Sequence, residues 1–315
     1  MSTLGLLSRK LAQGDFVVTV ELSPPRGSDV NTLLSRAQAL KPVVDAINIP
    51  DCQRAMLKLS SMVASIMIQQ QVGVESVWQL TCRDRNLIAL QSDLLGGWAM
   101  GLRNVLALTG DPVQVGDQAP MANQVFHLEA IRLLDLLQRL NTAQDAQQAP
   151  LKAGGTDFCV GSALNLARLH GAAQQQRLRQ KLERGVSFFQ TQPVYDRITL
   201  LKGLDVLNLA AKTVGVTPPP VLLGIVPPKS ADAARRFNQT VPGIHIPADW
   251  IEALEQTGDP KTAMRISFER CGQWMQDAAA LVQGIHVMPV GIEASFIEYW
   301  QANPMWIPRI AVPSI

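Results

Sequence analysis

Along this chain, short unbroken apolar runs alternate with longer segments in which apolar residues recur every three or four positions. The first pattern fits strands buried on both faces, and the second fits helices with one apolar side. Strands are predicted over 16–22, 43–49, 76–81, 104–108, 158–163, 187–192, 221–226 and 285–290. Helices are predicted over 30–40, 54–70, 87–98, 128–140, 174–184, 197–212, 230–238, 248–256, 260–283 and 292–301. In 54–70, Met56, Leu59, Met62, Val63, Ile66 and Met67 form one stripe, and its methionines read as core filling. Asp84 is placed to cap the helix that carries Leu87, Leu90, Leu94 and Trp98.

Five helical segments meet a glycine just before a strand, at Gly73, Gly101, Gly185, Gly215 and Gly284. Glycine after a helix takes the left-handed conformation that other residues resist. Eight strands, each followed by a helix, with no GxGxxG after any of them, favour an α/β fold of the (β/α)8 barrel type over a doubly wound sheet. The expectation is a single barrel domain over 1–315. Residues 141–155 are polar and rich in Gln and Ala, and read as a mobile insertion before the fifth strand.

Composition narrows the function classes. The chain has 315 residues, 47% hydrophobic and 17% charged, which is enough for a barrel-sized core. A net charge of +2, without a basic patch interleaved with aromatics, argues against a nucleic-acid partner. Cys52, Cys82, Cys159 and Cys271 lie far apart without a CxxC, so they read as buried or idle thiols in a reducing cytoplasm. The first residues lack the apolar core of a signal peptide, and no uncharged apolar run reaches membrane-spanning length.

The polar residues that end the predicted strands are Glu21, Asn48, Gln79 with Thr81, Thr109 with Asp111, Ser162, Gln192 and Gly291. In a barrel, strand ends meet at one mouth. None of the four histidines falls at a predicted strand end, so neither a His-based metal site nor a Ser-His-Asp relay is supported, and no metal is expected. Amides, hydroxyls and two carboxylates suit a planar heteroaromatic ligand, which needs paired donors and acceptors. Taken singly, each residue has a plainer reading. Glu21 fits a solvated strand end, Asp111 a turn, Gln192 a tie within its own loop, and Lys181 a solvated helix face. Joint placement at strand ends is what favours a site.

Six stretches carry a resemblance: VELSPPRG at 20–27, DAINIPD at 45–51, QLTCRDRN at 79–86, LALTGDP at 106–112, FFQTQPVYD at 188–196, and GIVPPKS with VPGIHIPADW at 224–250. In order and spacing they resemble the methylenetetrahydrofolate reductase family, flavoprotein (β/α)8 barrels of one-carbon metabolism and methionine biosynthesis. The forms ALTGDP and TQPVYD are most similar to bacterial members, which lack the C-terminal regulatory domain of eukaryotic ones. The resemblance implies FAD as cofactor, NADH or NADPH as electron donor, and a folate substrate. By position it implies Glu21 as general acid and Asp111 beside flavin and pterin. Gln192 matches the glutamine that touches folate and nicotinamide. Asn48, Ile49, Gln79, Thr109 and Gly110 match the lining of the flavin ring. Arg177, Gln180 and Lys181 match the residues at the cofactor's phosphates and adenosine end, and Ser162 is included with the cofactor residues. The sequence departs from the family at four places. Gln79 stands where many members have His, Thr109 and Gln180 each replace an Arg, and Gly291-Ile292 stands where many carry Asn-Arg. Fewer cations imply weaker FAD binding.

The implied reaction is reduction of 5,10-methylenetetrahydrofolate to 5-methyltetrahydrofolate. The methylene bridge accepts hydride poorly until N10 is protonated and the ring opens to an N5 iminium. That step needs a carboxylic acid held protonated near neutral pH, the role expected of Glu21. Asp111 would stay ionised and bind the pterin. Two other readings stay open at this point. One is a flavin- or pterin-binding subunit that takes electrons from a partner protein. The other is a barrel transferase that binds methyl-folate without flavin. The sequence leaves the choice between a homo-oligomer and a partner subunit undecided.

Overall fold

A computed structural model describes residues 4–303. Eight strands alternate with helices: β1 Val17–Glu21, β2 Ala46–Ile49, β3 Glu75–Thr81, β4 Asn104–Leu108, β5 Cys159–Leu164, β6 Phe188–Pro193, β7 Val221–Ile225 and β8 Gly284–Val287. They close in chain order into a parallel barrel, the (β/α)8 fold. The apolar runs are unbroken because each residue of such a strand is covered, by the barrel interior or by the helices. All five residues of β7 are buried. The predicted end of the chain beyond 303 lies outside the described residues.

By its contacts the chain falls into two compact units. One comprises Glu21–Ala163 and Gln180–Phe188 together with residues 4–9. The other comprises Lys10–Val20, Leu164–Arg179 and, among the described residues, 189–303. No described helix is long and apolar enough to cross a membrane.

Several boundaries differ from the periodicity reading, each for a local reason. The segment 54–70 is not one helix. It holds a 3-10 turn at Gln53–Ala55, an α-helix at Ser61–Met67 and a π turn at Ile68–Val72. Leu59 N–H is taken by Pro25 C=O at 2.8 Å, so the helix starts at the Ser60 cap. Asp84 does not cap the following helix, because its carboxylate is bound by Arg83. Asn86 accepts from Ala89 N–H at 2.9 Å instead. The helix from Pro260 ends at Ala278, and β8 ends at Val287, just before Met288-Pro289. Proline has no N–H to continue the ladder.

Four of the five punctuating glycines take positive φ, at Gly73, Gly101, Gly185 and Gly215. Gly284 does not. It lies within β8, where a Cβ would come within 2.6 Å of the Val17 carbonyl oxygen. The requirement there is close approach of two strands. Residues 141–155 are tied down rather than loose. Gln144 and Pro150 form a bridge, Leu151 N–H reaches Ala143 C=O at 2.8 Å, and Asp145 accepts from the backbone of Gln147 and Ala149.

Among the polar residues buried in the barrel strands are Thr19, Gln190 and His286. Thr19 Oγ1 lies 2.9 Å from His286 Nδ1 and accepts from Gln190 Nε2 at 3.4 Å. With β8 ending at Val287, this histidine is the strand's last-but-one residue, level with Thr19. Burial pushes its pKa down from 6.5 to about 3. It is held neutral by its surroundings.

A second buried polar group fixes the ends of β2 and β3. The Asp51 carboxylate, 5% exposed, accepts from Thr81 N–H at 3.0 Å, Thr81 Oγ1 at 2.8 Å and Ser61 Oγ at 3.1 Å. Arg85 Nη1 lies 2.7 Å from it, and Arg85 Nε reaches Asp93 at 2.9 Å. A charge is stable at such depth when its acceptor sites are filled and its counter-charge is near.

Two expectations follow. Asp51→Ala leaves Arg85 without its buried partner and should cost about 3–5 kcal/mol in urea unfolding. Asp93→Ala, at the more exposed end of the same network, should cost about 1 kcal/mol or less, and equal losses would remove Asp51 from its central place. The second concerns acid. In the unfolded chain His286 binds a proton near pH 6.5, whereas in the fold it does so near pH 3. Its contribution to stability is therefore full above pH 6.5 and declines as pH falls toward 3. Between pH 7 and pH 5 the native protein should lose about 2 kcal/mol more than His286→Gln. Parallel pH curves for the two proteins would contradict this.

Candidate functional site

The carboxyl ends of β1 to β4 and the loops that follow them form the candidate site. β3 pairs with β2 and β4 in a register that sets Asn48 beside Val77 and Gln79 beside Leu106. Laterally paired residues point to the same side of a sheet, and alternate residues do likewise. Asn48, Val77, Gln79 and Thr81 therefore share one side. Ile49, Trp78 and Leu80 share the other, where Trp78 Nε1 donates to Ser61 Oγ on the Ser61–Met67 helix at 3.0 Å.

Glu21 ends β1 half-buried, and its Oε2 accepts from Gln79 Nε2 at 2.9 Å. Next to Gln79 a cleft of about 260 Å³ is lined by Asp51, Gln53, Gln79, Thr81, Arg83, Leu108, Thr109, Gly110 and Asp111. Gly110 has φ +95°, and a Cβ there would sit 3.0 Å from Thr81 Cβ, inside the cleft wall. Thr109 Oγ1 accepts from Ala130 N–H at 3.1 Å and so closes the N-terminus of the helix Ala130–Asn141. Its hydroxyl does the work that the preceding residue, Glu129, leaves undone.

Asp111 is exposed, and its Oδ2 accepts from Arg54 N–H at 2.8 Å. That contact holds an uncommon backbone. Cys52, Arg54 and Ala55 have φ of 47°, 55° and 52°. Non-glycine residues in this region each cost about 1–3 kcal/mol, and such strain gathers at functional sites. The same loop is pressed by Gly116, where a Cβ would meet the Ala55 carbonyl oxygen at 2.0 Å. Asp117 accepts from Leu57 N–H at 3.0 Å and pairs with Arg26, so the loops after β1, β2 and β4 are joined.

The remaining candidate residues are not among those that line this cleft. Asn48 and Ile49 are fully buried in β2, with Ile49 on the helix-facing side. Ser162 pairs laterally with Ala107 and is likewise helix-facing, and its hydroxyl is buried without a hydrogen-bond partner among the described residues. Arg177, Gln180 and Lys181 lie on the helix Ala172–Glu183. Arg177 is exposed, and one turn on, Lys181 Nζ donates to Ala163 C=O at 2.6 Å. Gln192 is the exposed residue of β6. Gly291 has φ +72° in the turn after β8, while Ile292 is buried.

Sequence reasoning missed Asp51, Gln53 and Arg83. Arg83 is 2% exposed, with its guanidinium on Asp84 at 2.6 and 2.8 Å and on Cys52 C=O at 3.1 Å. The available signal was the Arg-Asp-Arg run directly after an apolar strand, where charge is unexpected unless it is paired. The cysteines are four free thiols. Burial raises Cys82 to about 12 and Cys159 to about 11, which makes both poor nucleophiles.

Comparison with known proteins bears on the family and the fold. A 5,10-methylenetetrahydrofolate reductase from Pectobacterium carotovorum subsp. carotovorum is 24% identical over 266 residues, covering 81% of this chain and 80% of that protein. Methylenetetrahydrofolate reductase 1 of Schizosaccharomyces pombe is 24% identical over 207 residues, covering 63% of this chain, and this chain spans 30% of its length. A solved structure of an uncharacterized protein from Clostridium thermocellum, which binds two copies of 5-methyl-5,6,7,8-tetrahydrofolic acid, superposes with a TM-score of 0.64 at 14% identity. It covers 95% of this chain and 97% of its own, a likeness of fold. The family model described as methylenetetrahydrofolate reductase matches residues 6–302, and the chain belongs to the methylenetetrahydrofolate reductase family.

Proposed function

We propose that this chain reduces 5,10-methylenetetrahydrofolate to 5-methyltetrahydrofolate, with NADH or NADPH as electron donor, FAD as cofactor and Glu21 as general acid. The observation that carries the reading is Glu21 at the end of β1, held by Gln79 beside the Asp111 cleft, in a chain of this family. The methyl-tetrahydrofolate bound by the Clostridium thermocellum protein supports a folate ligand for the shared fold.

The donor set suits a flavin. Gln79 and Thr81 offer amide and hydroxyl groups, Asp111 offers a carboxylate, and Gly110 leaves room where a Cβ would fill the wall. Such mixed edges match a planar ring with alternating donors and acceptors. Arg177 and Lys181, one turn apart on the helix Ala172–Glu183, are the cations that the family resemblance would assign to the cofactor's phosphates. When bound, FAD supplies the hydride chemistry between nicotinamide and folate.

The chain's own residues do the rest. Glu21 gives a proton to N10 of the folate, which opens the five-membered ring and leaves a cationic N5 iminium. Gln79 fixes the carboxyl group's direction through its amide, at 2.9 Å. Asp111, held by the Arg54 N–H, presents negative charge toward the pterin and the developing cation.

Two measurements test this reading. Added FAD at 100 times its Kd should raise stability by about 2.7 kcal/mol, and an unchanged melting temperature at saturating FAD would end the flavoenzyme reading. Glu21→Gln keeps shape and hydrogen bonding but has no proton to give. Flavin reduction by the nicotinamide should stay near normal, while folate reduction slows by roughly 10²–10⁴-fold. Rapid-mixing absorbance follows each half alone. Equal slowing of both halves would make Glu21 structural, and a normal folate step would assign the proton elsewhere.

A further inference from the structure

The helix Arg197–Val214 is packed inward through Leu200, Gly203, Leu207, Ala210 and Ala211. Gly203 lets it close on Leu166, whose Cβ a Cβ at 203 would meet at 2.6 Å. Its outer side is unusually apolar for a solvated face. Ile198 is 67% exposed, Leu209 66% and Leu201 37%. Lys202 and Asp205, also exposed, lie between them. Among the described residues neither takes part in an ion pair.

Ile198, Lys202, Asp205 and Leu209 follow one another at steps of four, three and four residues. At 3.6 residues per turn they fall in one strip about 60° wide and about 16 Å long. The order along it is apolar, positive, negative, apolar. Run backward, it is apolar, negative, positive, apolar. Two copies laid antiparallel therefore set Ile198 against Leu209 and Lys202 against Asp205, each contact occurring twice. A parallel pairing would set Lys202 on Lys202, and an unrelated partner would require no such symmetry in this strip.

We propose that this face is a self-complementary contact with a second copy of the chain, its two-fold axis passing between Gly203 and Leu204. The contact is isologous, so it closes on itself and yields a dimer rather than a filament. Buried apolar ends give it cohesion, and the crossed charges fix its direction. A single helix pair is small beside a standard interface, so the dimer dissociates on dilution.

The test is sedimentation velocity of the whole chain across a wide concentration series. The native protein should move from monomer to dimer. Asp205→Lys places like charges opposite each other at two symmetric points and should raise the dissociation constant about 100-fold. The double variant Lys202→Asp, Asp205→Lys restores complementarity and should return dimerisation to within about threefold of native, a small energy difference. Ile198→Ser, at a largely exposed position that the fold does not need, should weaken the dimer at least about tenfold. Circular dichroism confirms that each variant is folded. A native chain that stays monomeric at its highest concentration overturns the proposal. So does an assembly indifferent to both Asp205→Lys and Ile198→Ser, or a folded double variant that fails to dimerise.

Discussion

A carboxylate buried behind the mouth of the barrel governs how the candidate site is built. Asp51 sits just past β2, and its oxygens are filled by Thr81, Ser61 and Arg85. A charge at 5% exposure has few alternative arrangements, because any shift that strips a partner leaves a desolvated group unpaired. The end of β3 is thereby fixed relative to the end of β2. Gln79 and Thr81 are part of that end, so the hydrogen bond from Gln79 to Glu21 inherits its geometry from a residue just past the strand that lies between them.

The loops above this point trade stability for position. Cys52, Arg54 and Ala55 adopt backbone conformations that non-glycine residues avoid, and the loop after β4 holds them there through Asp111 and Gly116. Asp111 thus has a structural bond on one oxygen while its carboxylate borders the cleft. Thr109 shows a similar economy. Where the family resemblance leads one to expect an arginine, this chain has a hydroxyl that closes a helix N-terminus. The proposed cofactor would rely more on shape and amide contacts, and less on cations, than the family pattern implies.

Much of this was legible in the sequence. Residues 104–108 are a strand with the expected limits, and the helix at 197 ends at Gly215 as the punctuation pattern foretold. Strands buried on both faces must be continuous apolar runs, and a helix on a barrel must be apolar along one side. Those constraints are local, so a single sequence displays them. The strand-end rule likewise picked out Glu21, Gln79, Thr109 and Asp111, because the position of a residue past an apolar run is also a local fact. Gly284 and the segment 54–70 were misread for the opposite reason. What decides them is a neighbour distant in the chain, Val17 in one case and Pro25 in the other.

The sequence by itself determined the number and order of the strands and the barrel class, which follow from periodicity and punctuation, and its six motifs carried the family resemblance. The tertiary structure alone decided which polar residues face one another. Ser162 and Ile49 turn toward the helices because lateral pairing sets their parity. Asp51 is buried because its donors and its counter-charge arrive from the Ser61 helix and from the end of β3 and the loop after it, and Arg83, paired with its neighbour Asp84, is also bound by the Cys52 carbonyl from the loop after β2. Burial of a charge is a property of everything that surrounds it, and no window along the chain contains that information.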